Sequence, residues 1–99
     1  MRDLSLTRSR VAVDGGHEDG LLVFADDMLV AVLASLDADF YTSERGQWHL
    51  EAGFGPCSAR PLMFETLEAA LQWIAVRLSL DPEAVVQSAL FNLEQRKKP

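Results

Sequence analysis

With 99 residues, 48% of them apolar, the chain holds material for one hydrophobic core and not two, and folding should bury roughly two thirds of the surface that the unfolded chain exposes. Its net charge of −6 belongs to the stretch up to Phe54, where four arginines face ten acids; from Gly55 onward five cations balance five acids. An acidic surface of this kind repels phosphate backbones, which argues against nucleic acid as a partner, and a lone cysteine, Cys57, excludes an internal disulfide.

The opening residues, Met1 to Ser5, have no apolar stretch of the kind a signal peptide carries. The longest apolar run, Met28 to Ala34, falls far short of the roughly 20 residues that span a bilayer. A cytoplasmic protein without membrane contact is expected. Arg8 to Val13 alternates weakly and reads as a short strand, ended by the acidic, glycine-rich loop Asp14 to Gly20. Leu21 to Ala25 and Met28 to Leu36 are rich in Leu and Val and flank Asp26-Asp27, a pair suited to a two-residue turn. They read as a β-hairpin, with a helix over Asp26 to Leu36 as the competing reading, because a short apolar run conceals its period.

Asp37 to Gly46 is polar and acidic and reads as a connecting loop. Gln47 to Phe54 then alternates cleanly, placing Trp48, Leu50, Ala52 and Phe54 on one face and Gln47, His49, Glu51 and Gly53 on the other. Gly55-Pro56 closes this strand, and Ser58 to Phe64 returns as an edge segment, a place to which Pro61 confines it.

Two helices follow. Thr66 is the N-cap of the first and Glu68 lies in its first turn, where negative charge suits the dipole. Leu67, Ala70, Leu71, Ile74 and Leu78 form its core face, and a second apolar stripe, Ala69, Trp73, Val76 and Leu80, runs along nearly the opposite side. The second helix starts at the strongest signal in the chain, Asp81 as N-cap and Pro82 at the first helical position. Val85, Val86, Ala89, Leu90 and Leu93 make its core face, which leaves Phe91 outside.

No motif carries chemistry. Asp14 to Gly20 gathers one imidazole, His17, and three carboxylates, yet at neither EF-hand nor His-Glu-x-x-His spacing, so a solvated loop without a metal is expected. His49, Glu51 and Cys57 have the makings of base, orienter and nucleophile, but Cys57 lacks the context that lowers a thiol pKa and reads as inert. Gly53-Phe54-Gly55 lacks the Gly-Lys-Ser/Thr continuation of a phosphate loop. Trp48 and Trp73 stand at core spacings and should anchor the sheet to the first helix. Catalytic, cofactor and metal residues are therefore none.

The run LEAALQWIAVRLSLDPEAVVQSALFNLEQR, Leu67 to Arg96, resembles the helix pair of ribbon-helix-helix repressors. The resemblance implies an antitoxin-like DNA-binding regulator that contacts its operator through a preceding strand. The matching stretch, Ser58 to Leu62, offers Arg60 but also Pro61, which departs from a paired ribbon.

The expected architecture is a single α+β domain over residues 1–99, strand-rich from 8 to 64 with a helix pair over 66–95: an antiparallel meander of three to four strands packed in two layers by the C-terminal helices. Such a sheet has one face left over, which would be an apolar patch. The expected function is a small non-enzymatic interaction module that forms a homodimer or docks on another protein, with Trp73, Val76 and Phe91 as interface candidates. The regulator, and a small-molecule or metal-binding domain built on the acidic loop, are the alternatives.

Overall fold

The structure, a computed structural model, describes residues 3–13, 16–35, 47–60 and 62–96. Five strands, β1 (Leu4–Val13), β2 (Gly16–Ala25), β3 (Met28–Ser35), β4 (Trp48–Gly53) and β5 (Met63–Phe64), pair antiparallel in chain order as a meander. Two helices, α1 (Leu67–Arg77) and α2 (Pro82–Arg96), follow and cover one sheet face, α2 over β1 and α1 over β4 and β5. The fold is thus the two-layer α+β meander that the pattern implies, with five strands instead of three or four. No described helix is long and apolar enough to cross a membrane.

The extra strand length comes from the N-terminal half. Leu4 and Leu6 alternate with Ser5 and Thr7 and are buried beneath α2, so β1 begins before Arg8 and runs ten residues. Gly16 to Gly20, read from composition as a loop, pairs residue for residue with β1. Cross-strand pairing overrides the weak strand propensity of glycine and acidic residues; Asp14 and Gly15 lie outside the described residues. Asp26-Asp27 is the two-residue turn between β2 and β3, with Asp26 at φ 54°, which excludes the helical reading of this segment. The Asp26 amide donates to the Asp3 carbonyl at 2.9 Å and its carboxylate accepts from the Asp3 amide at 3.2 Å, tying the turn to the start of β1. The loop expected over Asp37 to Gly46, like Leu36 and Pro61, lies outside the described residues.

Two irregularities decide which residues share a face. Val30 is an extra residue in β3 between the pairs Phe24↔Leu29 and Val23↔Ala31. Glu51 is an extra residue in β4 between Leu33↔Leu50 and Val32↔Ala52. Each such bulge advances its strand by one residue relative to its partner, and with a side-chain period of two that changes which face the following residues occupy. Trp48 and Leu50 therefore enter the core, while Ala52 and Phe54, which clean alternation places beside them, lie on the opposite face. Edge segment Ser58 to Phe64 reduces to the two-residue β5, preceded by a 3₁₀ turn at Gly55–Cys57.

The core lies between the helices and the inner sheet face. Leu21, Val23, Leu33, Trp48 and Leu50 meet Leu67, Ala70, Leu71, Ile74 and Leu78 from α1 and its cap, and Val85, Val86 and Ala89 from α2. Leu90 and Leu93 pack at its margin. Arg8 also belongs to this inner face, and its guanidinium donates to the Leu93 carbonyl in the last turns of α2 at 3.5 Å, where positive charge suits the dipole.

Both helix starts are capped as their residues imply: the Thr66 hydroxyl accepts from the Ala69 amide at 3.1 Å, and the Asp81 carboxylate accepts from the Glu83 amide at 3.1 Å. At the end of α1, the Ser79 amide donates to Val76 at 3.0 Å and the Leu80 amide to Ala75 at 2.9 Å. This Schellman arrangement requires a left-handed residue at position 79, and Ser79 adopts φ 60° without glycine's freedom. Gly53 answers a different need, because a Cβ there would sit 1.9 Å from the Cys57 carbonyl oxygen.

Ser79→Gly should raise stability by about 1 kcal/mol in urea unfolding, since the left-handed conformation costs a side-chain-bearing residue about that much. Gly53→Ala should lower it by about 2–3 kcal/mol, because the methyl group meets rigid backbone. An unchanged midpoint for either would contradict the corresponding geometry.

Candidate functional site

The outer sheet face, turned away from the helices, is assembled by strand register. Phe24 pairs with Leu29, and the Phe54 amide donates to the neighbouring Val30 carbonyl at 3.0 Å, so Phe24, Leu29 and Phe54 form one row across three strands. Leu22, Val32 and Ala52 form the next. At the far end Gly20 is buried, its Cα so close to Val11 that an added Cβ would come within 2.6 Å of the valine Cγ2, and Ala34 beside it is fully buried. The accessible apolar area therefore lies toward the Asp26-Asp27 turn.

Exposure follows the same division. Leu22, Phe24, Val32 and Ala52 are half-buried, while Leu29 is 36% and Phe54 45% exposed. Met63, paired with His49, and Met28 stand at the margin, 59% and 58% exposed. Three of the six large exposed hydrophobic side chains, Leu29, Phe54 and Met63, thus lie on this face, which no described helix covers, while Met28 pairs with the buried Ala25 and belongs to the inner side at the turn. Ser5 and Thr7 of β1 border it on one side, His49 and Glu51 on the other, joined by a 3.1 Å contact between the imidazole Nε2 and the carboxylate. Among the described side chains, Glu51 is the only charged group that β1 to β5 contribute to the outer face.

The three interface candidates lie in the other layer and differ from one another. Val76 and Phe91 are each 63% exposed. Val76 sits in the last turn of α1, next to the start of α2, whereas Phe91 is nine residues into α2, about 13 Å along its axis at 1.5 Å per residue. Trp73 is engaged within the chain: its ring lies 6.0 Å from that of Phe64 at a tilt of 51°, and the Arg77 guanidinium stacks 5.4 Å above it. Arg77 is itself held by a 2.8 Å hydrogen bond from its Nε to the Pro56 carbonyl. Trp73 thus fastens α1 to β5, the sheet-anchoring place its spacing indicates, and Trp48 is fully buried in the core.

The residues considered for chemistry do not converge. His49 and Glu51 are on the outer face, while Cys57 is fully buried among the core residues behind the sheet. Burial pushes the Cys57 thiol pKa up, against a smaller lowering by Arg77. A thiol so placed is a poor nucleophile. Among the described residues no three or more His, Cys, Asp or Glu side chains stand together as metal ligands. An open cleft of about 570 Å³ between the helices is lined by Glu68, Gln72, Asp81 and Glu83, with no His or Cys among its lining residues. Comparison with known proteins finds no matching family model, no matching curated protein and no matching solved structure.

Because folding raises the Cys57 pKa, the native state keeps a proton that the unfolded chain loses above about pH 8.5, and the thiol's contribution to stability is lost as pH rises through that range. A disulfide reagent should accordingly react with native protein at pH 8 at least about tenfold more slowly than with urea-unfolded protein. Equal rates would contradict a buried thiol.

Proposed function

We propose that the protein is a small non-enzymatic interaction module that self-associates. The observation that carries this reading is the apolar row Phe24, Leu29 and Phe54 with Leu22, Val32 and Ala52 behind it, a continuous surface that no described helix covers. Contiguous apolar patches of several hundred Å² on a soluble chain mark contact surfaces. Transfer of such side chains out of water stabilises association by about 25 cal/mol per Å² before the cost of ordering two chains. A catalytic reading has no support of comparable kind, since nucleophile and base lie on opposite sides of the sheet.

The antitoxin-like regulator draws support from the order β5, α1, α2, a strand followed by two helices. Against it, the strand is two residues long, already pairs with β4, and carries Met63 and Phe64, neither of which recognises a base edge or a phosphate.

The two readings respond to salt in opposite senses. Two chains of charge −6 repel, so raising sodium chloride from 0.05 to 0.5 M should tighten a homodimer about threefold or more, as screening removes the repulsion. DNA binding would weaken with salt instead. Light scattering coupled to size exclusion should give twice the 11.0 kDa chain mass at micromolar protein, and a gel shift with the DNA upstream of the gene should show no complex. A persistent 11.0 kDa species at about 100 micromolar, or a shift at low micromolar protein in physiological salt, would overturn the proposal.

A further inference from the structure

We draw no further inference here: the strongest candidate, the apolar patch of Phe24, Leu29 and Phe54 on the outer sheet face, carries nothing beyond the self-association already proposed, since nothing in the structure shows what covers it.

Discussion

Two helices cover one face of a five-stranded sheet and no more, and the rest of the molecule is arranged around that limit. Each strand is 4.7–4.9 Å from the next and each helix about 10 Å wide, so α1 and α2 side by side span the sheet from β1 to β5 with little to spare. Leu4 and Leu6 at one edge and Trp48 and Leu50 toward the other are buried on the inner face, and among the described large apolar residues of that face only Met28, beside the turn, stands well clear of the helices. The hairpin β2–β3, however, is apolar on both faces, as strands covered on both sides usually are. The mismatch between one helix layer and a two-sided apolar hairpin is what leaves apolar side chains on the outer face.

The bulges determine where that surface falls. Without Glu51 as an extra residue, Ala52 and Phe54 would follow Trp48 and Leu50 toward the helices, and the outer face would lose the third member of its apolar row. With it, β4 serves the core through its first half and the outer face through its second. Gly53, which has room for no Cβ, lets the chain turn at this point into the 3₁₀ segment that brings Cys57 into the core and Pro56 against Arg77. Arg77 in turn stacks on Trp73, so the end of β4, the 3₁₀ turn and the last turn of α1 form one connected unit.

Local signals were legible where the chemistry is local. Thr66 and Asp81-Pro82 mark the helix starts, the 3.6-residue spacing identifies both core faces, and Asp26-Asp27 marks the hairpin turn. What composition hid was set by partners distant in sequence. Gly16 to Gly20 is strand because β1 lies alongside it, and β1 itself extends to Leu4 because α2, some 80 residues later, covers its leucines. The bulge at Glu51 has no signature within Gln47 to Phe54, whose alternation is regular; only the register with β3 reveals it. Ser79 is an unlikely residue for a left-handed position, and its neighbours rather than its own preference hold it there. The same division explains the site. Exposed Val76 and Phe91 follow from helical periodicity alone, but a surface made of rows from three strands exists only once register is known.

Intermolecular nuclear Overhauser effects in a one-to-one mixture of ¹³C-labelled and unlabelled chains test the central claim most directly. Self-association through the outer sheet face predicts contacts between subunits at the side chains of Phe24, Leu29, Val32 and Phe54, with none from Phe91. Intermolecular contacts confined to Val76 or Phe91, or the absence of any at millimolar protein, would contradict the claim.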